Sequence, residues 1–357
     1  MSREKKAGSG RWASGLENIW LSVIAILLSL VITSIIMAAS GNNLIEAYSA
    51  LFKGAFGSKN AIANTLAKTV PLIFVGMACA FSNKGGIFNI GCEGQLYSGA
   101  LAAAVAAIYM QGMSRWIAIP AAFLAGMAAG MLVGGLNGFL KAKLQINEVL
   151  VAIMLNYIMR YLTSYFVHGP LKDAEASVAQ TVAIDDSFML TKLVPKTQLT
   201  TALILALVIA LLMYFFFMKT RVGFNIRAVG ENRLAAQASG IAMSSTIVLT
   251  MAVSGALAAL TGVTEVLGKT GKFVDGFSPG YGFTGIAVAV LGRNNPAGVL
   301  LSALLFGIME SGAMKMSYVA GVSTSMIKVM QGLVILFVAT PNLVSFLKRR
   351  KGEKEGE

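Results

Sequence analysis

Apolar runs about as long as a bilayer is thick recur from one end of this chain to the other, and that recurrence leaves few folds open. A hydrocarbon core needs about 20 apolar residues in one helix to cross it. The runs are 19–39, 61–82, 90–110, 116–140, 147–167, 199–218, 245–267, 283–292, 296–313 and 324–343. The eighth, 283–292, is too short to cross alone and reads as part of a broken helix. The expected fold is an all-α polytopic membrane protein with about ten transmembrane helices.

Composition enters as a check. The chain is 56% hydrophobic and 13% charged, against about 25% charged in globular domains. A net charge of +13 could suggest nucleic acid, but the cations sit between apolar runs and at the two ends, where they set topology. Arg3, Lys5, Lys6 and Arg11 precede the first run, Lys141, Lys143, Lys219, Arg221, Arg227 and Arg233 fall in inner loops, and Lys348, Arg349, Arg350 and Lys351 follow the last. This bias predicts both termini in the cytoplasm. It divides the chain into a basic N-terminus 1–18, a transmembrane domain 19–345 and a charged tail 346–357, with an external loop at 168–198 and a cytoplasmic loop at 219–244. The first run exceeds the 7–15 residues of a signal h-region, so it reads as an uncleaved span. Lys68, Arg160 and Lys328 are left inside apolar stretches.

Little in the chain suggests catalysis. Two cysteines, Cys79 and Cys92, and one histidine, His168, provide neither a disulfide framework nor a metal-ligand spacing. The segment GVTEVLGKT, 262–270, imitates a phosphate-binding loop, but its glycines are spaced wrongly and it follows an apolar span instead of a strand. No catalytic residue and no metal site are expected.

Polar residues inside or beside the spans are more informative, because they usually face a bundle interior or a watery path. They are Asn89, Glu93, Gln95, Asn147, Glu148, Asn156, Glu265 and Glu310. Carboxylates scattered among amides and aromatics suit a neutral, hydrogen-bonding solute better than an ion-coupled carrier. Each could equally be an interhelical hydrogen bond that only packs the bundle. The segment GGIFNIGCEGQLYSG, 85–99, puts Asn89 and Glu93 at the start of a small-residue helix. FNIG at 88–91 is echoed by FSPG at 277–280, and paired broken helices in corresponding places point to a central site in repeat-built transporters. Phe88, Asn89, Glu93, Gln95, Asn147, Asn156, Glu265, Phe277 and Tyr281 are the expected pathway residues. Phe88 and Asn89 should touch the solute, and Glu93 should tie the backbone of the lead-in. GMAAGMLVGGLNG, 126–138, spaces small residues about four apart for close helix packing. In the basic loop 219–244 a short helix is expected from about Glu231 to Ser239, with Glu231 in its first turn and Gly240 at its stop, as a docking helix for a partner.

Taken together, FNIGCEGQLYSGA, RAVGENRLAAQASGIAMSSTIVLTMAVSGALAALTG, GYGFTGIAVAVLGRNNPAGVLLSALLFG and QGLVILFVATPN closely resemble the permease subunits of bacterial nucleoside ABC importers, within the branched-chain amino acid and simple-sugar permease superfamily. The resemblance spans roughly 61–345. It implies a type II importer fold with broken helices and an internal repeat, in the cytoplasmic membrane. It implies a tandem ATPase holding ATP and magnesium, so that this chain carries no cofactor and is no enzyme. It further implies a second, paralogous permease and an extracytoplasmic nucleoside-binding protein or lipoprotein, with no nucleic acid partner. The docking helix carries over onto Glu231, Asn232, Ala235, Ala236 and Gly240, with Arg227 just before it, and the FNIG–EGQ segment onto Phe88, Asn89, Gly91, Glu93, Gly94 and Gln95. Cys92 stands where a smaller residue is expected, and cysteine packs as a small hydrophobe. A ribose-type sugar permease is the alternative within the superfamily.

Overall fold

Residue 24 and residues 27–339 are described by the structure, a computed structural model. The basic N-terminus and the charged tail lie outside them. The helices run in the order α1 (Leu27–Ala39), α2 (Leu44–Phe56), α3 (Lys59–Lys84), α4 (Cys92–Tyr109), α5 (Arg115–Leu144), α6 (Glu148–His168), α7 (Ala202–Lys219), α8 (Arg221–Glu231), α9 (Arg233–Ala238), α10 (Met243–Glu265), α11 (Tyr281–Leu291), α12 (Pro296–Ala320) and α13 (Thr324–Ala339). Among the described residues the only extended pairings are isolated bridges, Gln180 with Val274 and Lys192 with Thr200. The all-helical expectation holds.

Six of the described helices are long and apolar enough to cross a membrane: α3, α5, α6, α7, α12, and α10 with the turn that extends it to Thr270. At 11 residues, α11 is about 16 Å long, too short to span, as its apolar run suggests. Parts of the runs 19–39 and 324–343 fall outside the described residues. Two helices were not anticipated, α8 in the inner loop and α2. In α2, Asn43 accepts hydrogen bonds from the Ile45 and Glu46 N–H groups, and Ala47, Ala50, Leu51 and Ala55 form a buried stripe. Glu46, Lys53 and Gly54 break its apolar run below span length, so a search for spans passes over it. The phosphate-loop mimic ends in a π-helical turn, Val266–Thr270, that closes α10.

Two units can be distinguished, the described parts of Met1–Gly57 with Met309–Glu357, and Ser58–Ile308. In the first, Tyr48 Oη lies 2.8 Å from Ser34 Oγ, joining α2 to α1, and Gly312 of α12 packs on Leu51. The second is organised around α3 and α10. α10 packs on α5, α4 and α3, and α11 on α3. Gly126, Gly130, Gly134 and Gly138 line the buried face of α5 and meet Val263, Gly255, Met251 and Val248 of α10. Without side chains between them the two backbones approach closely, the packing lipid-embedded helices favour. Burial then grades outward: 89% of the apolar window of α3 is buried but only 17% of that of α6.

Candidate functional site

Two helices of the second unit begin after the same turn. In Phe88-Asn89-Ile90-Gly91 the Asn89 Oδ1 accepts the Gly91 N–H at 2.9 Å. In Phe277-Ser278-Pro279-Gly280 the Ser278 Oγ accepts the Gly280 N–H at 3.2 Å and the Tyr281 N–H at 3.2 Å. Short oxygen-bearing side chains close such turns onto the backbone two residues on. α4 starts one residue after the first glycine and α11 one residue after the second.

The two starts meet. Two residues past each glycine lie Glu93 and Gly282, and the Gly282 N–H donates to Glu93 Oε2 at 2.6 Å. Equivalent positions of the two starts therefore touch. A Cβ on Gly282 would lie 2.7 Å from Glu93 Cα, so only glycine permits this approach. Ser278 also hydrogen-bonds the Glu93 carboxylate. The N-terminal ends of two helices thus flank one acidic side chain.

Amide side chains fasten the first turn. Asn89 is 2% exposed. Its Nδ2 donates to Gln95 Oε1 at 3.0 Å and to Ser254 Oγ at 2.8 Å, and its Oδ1 also accepts from Gln95 Nε2 at 3.3 Å. Asn156 of α6 accepts the Gly94 N–H at 2.7 Å and donates to the Ile90 carbonyl at 3.0 Å. The sequence reading has Asn89 touch the solute; in this structure its amide is hydrogen-bonded inside the protein, where it ties the lead-in together with Glu93. Gln95 is buried in the same network. Asn147 caps α6, accepting from the Val149 and Leu150 N–H groups. Glu265 is buried and ion-paired with Lys269 one turn on. Tyr281 is buried as the first residue of α11. Phe88, 39% exposed, keeps an open face. Phe277 joins an aromatic cluster with Tyr97 and Phe273, at ring separations of 4.9 and 5.6 Å.

Beside these starts runs the open face of α6. Tyr157 and Tyr161 stack with rings 6.5 Å apart and 20° between planes. Arg160 is exposed next to them, and its charge reaches Glu93 and Tyr97. Further along, Ser164 Oγ donates to Asp275 Oδ2 at 2.9 Å. The sequence flagged Arg160 only as a cation inside an apolar run; that signal, a charge that lipid would not tolerate, could have placed it at the site.

Each lead-in is also gripped by a different remote segment. Before α4, the Gly86 carbonyl accepts from the Arg233 guanidinium at 3.1 Å, and Gly230 of α8 packs on the Lys84 and Gly86 backbone. Before α11, the loop after α6 lies along residues 271–275: Thr181 N–H donates to the Phe273 carbonyl at 2.9 Å, Ile184 N–H to Gly271 at 2.7 Å, and Asp275 N–H to Ala179 at 2.9 Å.

The expected short helix of 219–244 is present as α9, with one correction. Glu231 closes α8, where a negative charge gains nothing from the dipole, and Asn232 is the cap of α9, accepting the Ala235 N–H at 3.0 Å. Gly240 follows with φ of 77°, the left-handed stop of a helix end. Ala236 faces inward, whereas Leu234 is 79% exposed and Ala235 is open. Arg227 is half-buried, its Nε without a hydrogen-bond partner among the described residues.

The profile of the family described as branched-chain amino acid transport system / permease component matches residues 61–339. The guanosine ABC transporter permease protein NupP of Bacillus subtilis is 36% identical over 95% of this chain and 98% of its own length. The nucleoside ABC transporter permease protein NupB of Lactococcus lactis is 35% identical over 96% of each. The glucose ABC transporter permease protein TsgB13 of Haloferax volcanii is 32% identical over 92% of this chain and 90% of its own length.

Proposed function

The chain belongs to the branched-chain amino acid transport system permease family, and on that premise we propose that it carries nucleosides inward, powered by ATP hydrolysed on a partner chain. It is a multi-pass membrane protein and a permease subunit of an ABC importer. What supports nucleoside cargo is the meeting of the two helix starts. Glu93 and Ser278 at the joined starts, and Arg160 with the stacked Tyr157 and Tyr161 on the open face of α6, supply hydrogen-bonding and aromatic groups, a set suited to a base and its ribose. Two of the relatives named above carry guanosine or nucleoside in their names. The glucose permease keeps a hexose as the second reading, for which an aromatic face of this extent is less needed.

In the proposed arrangement both termini are cytoplasmic, a tandem ATPase docks on the open side of α9, and an extracytoplasmic binding protein docks on the loop 168–198. A second, paralogous permease covers the exposed face of α6 and completes the path. The two grips give each partner its own lever: α9 acts on the lead-in to α4 through Arg233, with Gly230 of α8 packed beside it, and the external loop on the lead-in to α11 through its backbone bonds. Each partner favours one of two conformations, which is what coupling requires.

The test is uptake by the complete importer in proteoliposomes. ATP-dependent nucleoside entry that survives an ionophore is the expected result. Collapse with the ion gradient would mean a secondary carrier, and entry of glucose without nucleosides would establish the hexose reading.

A further inference from the structure

We propose that Arg160 is a base-recognition residue of the pathway, donating from its guanidinium to the paired acceptors of an oxo-purine nucleoside; this rests on the nucleoside reading above. Arg160 lies near the middle of the 21-residue α6 and is exposed. Its side chain makes no hydrogen bond or ion pair with any described residue. A cation at that depth is expensive unless it faces a polar partner or a water-filled path. Glu93 is within electrostatic reach but does not approach to ion-pair distance, so no described residue pairs with Arg160 and its guanidinium is open to a solute in the path.

The surroundings narrow its chemistry. Tyr157 and Tyr161, 56% and 70% exposed, stack beside Arg160 on the same helix face, and planar aromatic rings take up heterocyclic bases by stacking. The guanidinium is a planar fork of donors with no acceptor. It matches an edge with two adjacent acceptors, and the O6 and N7 of guanine or hypoxanthine form such an edge. Adenine sets a donor, its 6-amino group, beside N7, and that donor opposes one arm of the fork. Arg160 therefore favours guanosine and inosine over adenosine during passage.

Glutamine makes the inference falsifiable in a second direction, because its amide offers the donor–acceptor pair that adenine matches. The experiment uses the complete importer in proteoliposomes, with each nucleoside at a concentration that saturates the binding protein, so that delivery is equal. Initial rates are measured for inosine, guanosine and adenosine with wild type, Arg160→Ala and Arg160→Gln. Arg160→Ala should lower the maximal rate for inosine and guanosine about tenfold and change adenosine less than about twofold. Arg160→Gln should reverse the inosine-to-adenosine preference, which a residue that merely held the helix would not do. If both variants slow all three nucleosides equally, Arg160 pairs with a fixed group such as a carboxylate of the second permease, and the inference fails. Unchanged ratios also overturn it. Should Arg160→Ala not assemble, the ratio in Arg160→Gln decides alone. A wild type that imports no nucleoside removes the nucleoside reading itself, before any variant is compared, and this inference falls with it.

Discussion

The lead-ins to α4 and α11 share one turn and are fastened in opposite ways. At the first, Asn89, Gln95, Asn156 and Ser254 exchange hydrogen bonds in the buried interior. At the second, the turn rests on the Ser278 hydroxyl, partly exposed, and on backbone bonds to the loop after α6. A satisfied amide network in a low-dielectric interior is stiff, whereas a segment with exposed backbone and few buried contacts opens at low cost. If this difference in fastening governs the transport cycle, α4 is the fixed reference and α11 the element that shifts against it, with Glu93 and Gly282 as the contact between them.

The sharpest way to break this comparison is Asn89→Ala. It strands the Gly91 N–H and the Gln95 amide in the core and takes one partner from Ser254, which still donates to the Ala78 carbonyl at 2.7 Å. Each buried group left unpaired costs about 1–3 kcal/mol, so the loss should be roughly 3 kcal/mol or more. The purified importer should show a large drop in melting temperature and a low yield. A stable variant with slow or altered transport would instead restore the direct solute contact expected from the sequence.

Next in size is Gly282→Ala. The new methyl meets the backbone of Glu93 and the carboxylate itself, and overpacking of this kind costs about 1–3 kcal/mol. If the second start is the movable one, α11 relieves the clash by standing off α4. The complex then still assembles, with a melting drop smaller than that of Asn89→Ala, while uptake falls at least about tenfold, since 1.4 kcal/mol already corresponds to a factor of ten. Wild-type uptake would mean that the Glu93–Gly282 contact plays no part in the cycle.

Much of this arrangement was legible in the sequence, and the failures have physical causes. The apolar runs located the spanning helices because lipid imposes length, and the FNIG and FSPG echo located both breaks because the turn needs a short polar side chain two residues before a glycine. The internal bonding of Asn89 was not legible because sequence shows that an amide is present but not whether its donors and acceptors are already used; Ser254, 165 residues away, completes that account. Glu231 was placed in the wrong helix because the kink at Asn232 separates two helices that sequence joins or divides with equal ease. α2 escaped because only span length was sought. Arg160 was visible as a charge inside an apolar run, yet its partners Tyr157 and Tyr161 acquire meaning only once α6 is seen to lie at the edge of the bundle.

The smallest expected effect is that of Ser278→Ala, and it tests the asymmetry from the weaker side. Alanine removes the acceptor for the Gly280 and Tyr281 N–H groups and one bond to Glu93. The segment is partly exposed, so water can replace the lost acceptor, and comparable losses at helix starts cost about 0.5–2 kcal/mol. Glu93 still accepts the Gly282 N–H, so the junction of the two helices survives. The importer should therefore assemble normally, melt only slightly below wild type and transport at a moderately reduced rate. Equal destabilisation by Ser278→Ala and Asn89→Ala would make the two turns equivalent fasteners, and α4 would lose its standing as the fixed side. A small shift beside a large one would place the difference in the chemistry of the two side chains: an amide that water cannot replace, and a hydroxyl that it can.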